Sequence, residues 1–328
     1  MSAALKLGYV PLNDAAALIV GADKGFFAAE GLAVELCREA SWATVRDKLA
    51  VGALDGAHML APMALAASLG VGSDPAPMIA PLALNLNGPA VTLSARLVEA
   101  LGAGPPAEGL ARLVARRRDQ DASPLTFAVV FPYSAHNYVL RAWLAQAGVD
   151  PDRDVRITVA APPRMAELLA DGVIEGFCAG EPWGAAAMRI GAGRTVAHAV
   201  EVSPTTPDKV LGVTRAWAER RPQVLQGVMR ALIRAARWAE APGNRAELIA
   251  LLARPERLGV GPDLIAAGLN AARFPDDGAG APRPEQAIWL LEQMARWGQI
   301  DAGIDPAAVA AQVYRPELYV AAASGLQA

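Results

Sequence analysis

One segment of the chain is present twice. Residues 41–62, SWATVRDKLAVGALDGAHMLAP, contain the run Leu49-Ala-Val-Gly-Ala-Leu-Asp-Gly, and a second copy, Leu169-Ala-Asp-Gly-Val-Ile-Glu-Gly, follows at a fixed offset of 120 residues. The match is gapless and pairs Gly52 with Gly172, Leu54 with Ile174, Asp55 with Glu175, Gly56 with Gly176 and Pro62 with Pro182. The same offset lays Leu5-Lys-Leu-Gly-Tyr-Val over Leu125-Thr-Phe-Ala-Val-Val. A repeated supersecondary unit constrains a fold more than composition does. Both copies read as strand, loop, helix, strand, helix, strand, so the chain is expected to be an α/β protein. One doubly wound lobe occurs twice, each a sheet flanked by helices, with a cleft between the lobes.

The chain in order supports that expectation. Leu5–Val10 reads as the first strand, and Asp14 is placed to N-cap the alanine-rich helix Ala15–Lys24. Ser41 is placed to cap a helix whose apolar face is Val45 and Leu49. Leu54–Leu60 is apolar enough for a buried parallel strand. Asn85-Leu-Asn-Gly-Pro is turn chemistry and leads into Ala90–Ser94, where the chain is expected to cross to the second lobe. It returns through the segment from Ser203 to Val213, which the offset sets opposite Ala83–Leu93. This makes residues 1–88 with 206–328 one lobe, and 89–205 the other. A long amphipathic helix, Trp217–Glu240, broken near Pro222, and helices at Arg245–Leu252, Pro262–Ala272, Pro284–Trp297 and Pro306–Val313 are expected to pack on the first lobe. Phe274–Pro284 reads as a loop.

Composition excludes several functions. The net charge is −3 and no long basic run occurs, which argues against direct nucleic-acid binding. Arg116-Arg117-Arg118 is followed by Asp119 and Asp121 and reads as a solvated helix end. Two cysteines, Cys37 and Cys178, fall in buried strands of different lobes, so neither a disulfide nor a cysteine metal site is expected. No apolar run reaches transmembrane length without charges or glycines, so no membrane insertion is expected. Met1-Ser-Ala-Ala is followed at once by the first strand, without room for an export signal. On that reading the chain is cytoplasmic; the alternative is a trimmed periplasmic chain.

No nucleophile elbow, glycine-rich phosphate loop, HExxH or CxxC is present, and no cofactor is expected. Of the three histidines, His58 reads as a hydrogen-bonded core residue inside a strand, and His198 ends a strand. His136 differs because it opens a helix on the carboxyl side of a strand, where open α/β sheets bind ligands. Gly180 follows the matching strand, where the lack of a side chain lets a ligand approach the backbone N–H. Lys209 lies on the returning crossover. Trp42 sits in the first turn of the Ser41-capped helix, either as an indole N–H donor near its positive end or as a core aromatic. Trp42, His136, Gly180 and Lys209 are all donors and none is an acid, a set that suits a small anion.

The runs Glu39-Ala-Ser-Trp-Ala, Leu54-Asp-Gly-Ala-His-Met-Leu-Ala-Pro-Met, Pro81-Leu-Ala-Leu-Asn-Leu-Asn-Gly, Gly176-Phe-Cys-Ala-Gly-Glu-Pro-Trp, Lys209-Val-Leu-Gly-Val and Met294-Ala-Arg-Trp-Gly-Gln resemble the nitrate/bicarbonate-binding family of ABC-transporter solute receptors. The resemblance covers nearly the whole chain. It implies a two-lobed, hinge-bending fold of the periplasmic-binding-protein type (type II), and no enzymatic activity. It also implies that a tryptophan, a histidine, a glycine backbone and a lysine hold nitrate, at Trp42, His136, Gly180 and Lys209. The amide that nitrate receptors contribute near the first crossover is absent at the matching place, where Pro89 stands. With no export signal, the closest resemblance is to cytoplasmic nitrate/nitrite sensors that hold an RNA-binding antitermination regulator and release it when the anion binds. The alternatives are a receptor delivering nitrate, bicarbonate or a sulfonate to an ABC permease, and an enzyme of the fungal thiamine-pyrimidine synthase type. Two isolated cysteines argue against the enzyme.

Overall fold

The computed structural model describes residues 4–203, 207–269 and 280–326. Its ten strands are β1 (Leu5–Tyr9), β2 (Val34–Arg38), β3 (Gly56–Leu60), β4 (Met78–Leu86), β5 (Ala90–Ser94), β6 (Leu125–Val129), β7 (Val155–Val159), β8 (Gly176–Ala179), β9 (Gly193–His198) and β10 (Pro207–Thr214). They form two five-stranded sheets of matching order, β2-β1-β3-β10-β4 and β7-β6-β8-β5-β9. The first three strands of each sheet run parallel; β10 and β5 are antiparallel to their neighbours on both sides. The sheets are therefore mixed, and each takes its antiparallel strand from the chain's crossing segment. β5 leaves the first copy to become fourth in the second sheet, and β10 comes back to become fourth in the first. This is the periplasmic-binding-protein fold.

The residues shared by the two copies have identifiable physical roles. Gly52 and Gly172 both end a helix with positive φ, 75° and 71°, a conformation that side-chain-bearing residues rarely adopt. Gly56 and Gly176 lie where a Cβ would press on neighbouring strands, on Leu7 and Val213 in one sheet and on Leu93 and Phe127 in the other. The acid before each of these glycines closes the same bond. The Asp55 carboxylate accepts from the Lys6 N–H at 2.9 Å, and the Glu175 carboxylate accepts from the Thr126 N–H at 2.6 Å. A carboxylate at the head of the third strand thus binds the first strand in both sheets.

Ser41 caps its helix as expected, accepting from the Thr44 N–H at 3.2 Å. Ser134 does the same for the helix Ala135–Gln146, through the Asn137 N–H at 3.1 Å. Asp14 corrects the expectation: a 3-10 turn, Asn13–Ala15, precedes the helix Ala16–Asp23, and no side-chain cap forms there. Its carboxylate is turned inward instead. Cys37 corrects another, because β2 is an edge strand and leaves it only partly buried; Cys178 is fully buried, and both are free thiols.

Pro222 starts the helix Pro222–Glu240, where its missing N–H and fixed φ are tolerated. Leu225, Val228, Met229, Leu232 and Ile233 form the buried face, in one apolar cluster with Leu18 and Ile19 of the helix Ala16–Asp23. The later helices Pro284–Arg296 and Pro306–Val313 pack on the helix Ala61–Leu69, and a further helix, Pro316–Ser324, packs beside β4. The expected end of the Pro262–Ala272 helix and most of the Phe274–Pro284 loop lie outside the described residues, as does the 205/206 boundary. A separate apolar cluster spans both sheets, from Val45, Leu49 and Met59 to Phe131, Tyr138 and Phe177. Burying each such side chain contributes about 1.5–3 kcal/mol, so the two halves are held together by a dry interior. Among the described residues no helix is long and apolar enough to cross a membrane.

Candidate functional site

The loops after β1, β6 and β8 meet at the carboxyl ends of the parallel strands. The Asn13 N–H donates to the Glu181 carbonyl at 2.9 Å, joining the loop after β1 to the loop after β8 by main chain. Into this junction β10 carries Lys209, opposite Leu60 of β3 and Asn85 of β4. The Lys209 ammonium has no solvent exposure. Its Nζ lies 2.8 Å from Asp14 Oδ2, 2.7 Å from Asp208 Oδ1, and 5.5 Å from the centroid of the Trp42 ring.

The other expected residues surround it. Trp42 is the first residue of the Ser41-capped helix, and its ring centroid is 5.5 Å from that of His58. The buried indole Nε1 has no hydrogen-bond partner in the structure. His136, the second residue of its helix, is fully buried, with neither ring nitrogen hydrogen-bonded. Its Nε2 stands 3.9 Å from Asp208 Oδ1. Gly180 faces the same space: a Cβ there would lie 3.3 Å from Asp14 Oδ2 and 3.7 Å from His136 Nε2. All four expected residues are therefore brought to one enclosed place.

The site is not made of donors alone. Asp14 and Asp208 both touch Lys209, and His58 Nε2 sits 2.9 Å from Asp14 Oδ1. His58 is a core histidine, as read, but one that belongs to this cluster. Asn85 was also missed. A Cβ on Gly88 would collide with both Asp208 Oδ2 and Asn85 Oδ1, so a side-chain amide does approach the site from the first crossover.

Each oversight has a cause. Asp14 occupies the place of Ser134 under the offset, which made capping the obvious role. Adjacent residues of a regular strand face opposite ways, which would send Asp208 away from Lys209. The β10–β4 ladder is irregular between Pro207 and Lys209 and again between Lys209 and Val210, and both side chains reach the cluster. One signal was available: under the offset Asp208 corresponds to Gly88, and the two meet where the crossovers pass.

The charges interact strongly because they are buried. Burial pushes the Asp14 carboxyl up, but Lys209 and His58 outweigh it and hold it below the usual carboxylate range. Burial dominates at Asp208; with the like charge of Asp14 it overrides Lys209 and pushes the carboxyl up to about 6. Burial lowers Lys209, yet the two carboxylates more than reverse this and leave it raised. Burial lowers both histidines; Asp14 opposes this, chiefly at His58, but burial with the nearby ammonium prevails, so each is a neutral imidazole at pH 7 with one N–H to donate. The cluster is an enclosed ammonium, an indole N–H, two imidazoles and a backbone N–H, balanced by two carboxylates.

The NMT1-like family model matches residues 1–253. The chain is 34% identical over 333 residues to the nitrate import ATP-binding protein NrtC of Synechocystis sp. (strain ATCC 27184 / PCC 6803 / Kazusa), covering 96% of this chain and 49% of that protein. It is 36% identical over 307 residues to the bicarbonate transport ATP-binding protein CmpC of Synechococcus elongatus (strain ATCC 33912 / PCC 7942 / FACHB-805), covering 90% and 45%. The chain thus spans about half the length of these curated relatives. The crystal structure of the periplasmic nitrate-binding protein NrtA from Synechocystis PCC 6803 superposes with a TM-score of 0.92 at 28% identity, covering 99% of this chain and 89% of that one.

Proposed function

Because the chain belongs to the NMT1-like family, we propose that it is a solute-binding receptor of an ABC-type importer, closing two lobes on a small inorganic anion. Nitrate or nitrite is the first candidate and bicarbonate the second. Residues 1–88 with 206–328 form one lobe and 89–205 the other, a division supported by sheet membership. In this reading Lys209 supplies the charge, Trp42 and His136 donate through ring N–H groups, and Gly180 donates its backbone N–H. The observation that carries it is the buried cluster itself: unpartnered indole and imidazole nitrogens and an ammonium meet in one enclosed place contributed by both sheets.

The receptor reading replaces the expectation of a cytoplasmic sensor with an antitermination partner. That expectation drew on the absence of an export signal, whereas the three relatives named above are called import or transport ATP-binding proteins and a periplasmic nitrate-binding protein. The proposed partner is an ABC permease, the proposed location the periplasm, and the proposed action binding without turnover.

Nitrate has four heavy atoms, and a ceiling of about −1.5 kcal/mol per atom gives roughly −6 kcal/mol. That corresponds to a dissociation constant on the order of tens of micromolar. Calorimetry against nitrate, nitrite, bicarbonate and sulfate tests the reading. Binding of one or more of these anions, unchanged on recovery, is expected. Failure of all four to bind, or turnover of a bound anion, overturns it.

A further inference from the structure

The cluster contains more negative charge than an anion site needs. With Asp14 and Asp208 ionised and both histidines neutral, one ammonium faces two carboxylates before any ligand arrives. A bound monoanion adds a third negative charge among side chains that are almost wholly buried. Such an arrangement lowers its energy most simply by taking up a proton.

Resting on the receptor reading, we infer that the site captures its anion together with one proton, and that the Asp208 carboxylate accepts it. The balance is simple: an anion and a proton leave water, the proton forms an O–H bond on Asp208, no other bond breaks, and the buried charge is the same before and after. Geometry selects Asp208 over its neighbours. Asp14 has two cationic or donor contacts, Lys209 and His58, whereas Asp208 has Lys209 alone at short range. Asp208 Oδ2 lies against Gly88, near the Asn85 side chain, and has no hydrogen-bond partner.

The titratable groups facing Asp208 come from four elements: Lys209 beside it on β10, Asp14 from the turn after β1, His136 from the helix after β6, and Cys178 from β8. His136 is the competing acceptor, but burial and then the Lys209 ammonium lower it, and protonating it would place a second cation beside Lys209. Asp208 is by contrast raised to about 6 before any anion enters, and a third negative charge raises it further.

Nitrate is the suitable probe, because its own charge does not change between pH 5 and pH 9. Calorimetry of the intact chain in two non-oxyanion buffers of different ionisation enthalpy, imidazole and Tris, reads proton uptake directly. Close to one proton per nitrate is expected above pH 7, with the dissociation constant rising about tenfold from pH 7 to pH 8 and levelling off below about pH 6. D208N should still bind nitrate, with uptake near zero and an affinity constant across that range. Nitrate binding by the native chain without proton uptake, at an affinity unchanged from pH 6 to pH 8, overturns the inference and leaves the receptor reading standing. Retention of the full pH dependence in D208N also overturns it. Absence of nitrate binding at every pH overturns the inference for nitrate, and the receptor reading is then decided by nitrite, bicarbonate and sulfate. The native-chain measurement decides the question even where D208N does not fold.

Discussion

Replacing Lys209 with methionine keeps most of the side-chain volume and removes the charge. Lys209 is the shared partner of Asp14 at 2.8 Å and Asp208 at 2.7 Å, so K209M leaves two buried carboxylates facing each other's field. Removing one partner of a buried charge group costs about 3–5 kcal/mol. The folded variant reduces that cost by taking up protons, on Asp208 and on the Asp14–His58 pair. Both carboxyls then have folded pKa values above the unfolded value of about 3.9. A group raised on folding contributes its stability below the unfolded value and loses it as pH rises through the folded one. Each extra proton held by the folded form therefore steepens the decline by about 1.4 kcal/mol per pH unit. Between pH 5 and pH 8 the deficit of K209M should grow by at most about 4 kcal/mol for one such proton. Denaturant midpoints at pH 5, 6.5 and 8, compared at constant slope, measure this, and K209M/D208N should recover part of the loss at pH 8. A deficit identical at pH 5 and pH 8 would refute the reasoning, since Lys209 would then not be the charge that keeps these carboxyls ionised.

Asp14 predicts the opposite pH sign in the native chain. Lys209 and His58 hold its carboxyl below the unfolded value, so its contribution is present above about pH 4 and is lost as pH falls further; acid titration of stability should show this component in the native chain and not in D14N. Gly180→Val would place methyl groups against Asp14 Oδ2, Leu12 and His136, so nitrate affinity should fall at least 100-fold with the circular dichroism spectrum unchanged; retained affinity removes Gly180 from the site. The repeated acids should differ in weight. Asp55 also accepts from Trp217 Nε1 at 2.7 Å and lies 3.7 Å from Arg221, so D55A should cost about 2–3 kcal/mol and E175A about 1–2 kcal/mol. Equal losses in thermal or denaturant unfolding would contradict that ranking.

The repeat made the fold readable because the residues that recur are the ones with backbone duties. Gly52 and Gly172 end helices, Gly56 and Gly176 allow close strand contact, and Asp55 and Glu175 hold the first strand. Duties of this kind depend on neighbours in the same unit, and spacing along the chain records them. The basic half of the site was legible for a related reason: Trp42, His136 and Gly180 sit at helix starts and strand ends, where topology dictates the direction they face. The acidic half was not legible. Asp14 had a plausible local role as a cap, and Asp208 faces Lys209 only because the ladder of β10 is irregular. Helix Pro316–Ser324 was also missed, since a short alanine-rich segment carries little periodic signal, and of β9 only its end at His198 was read.

The exchange of β5 and β10 bears on the order in which this chain assembles during synthesis. The second sheet is built from residues 90–198 without interruption, so all five of its strands exist once His198 has emerged. The first sheet cannot be completed then, although its strands β1 to β4 were made earlier, because β3 and β4 are joined only through β10. Until Thr214 is available, the bonding edges of β3 and β4 remain open, and exposed edges invite wrong pairings. Domains in general become folded from the amino end first; here the later-made unit closes first and the earlier one waits for its fourth strand. That strand carries Lys209, so the charged cluster is formed in the same event that completes the sheet.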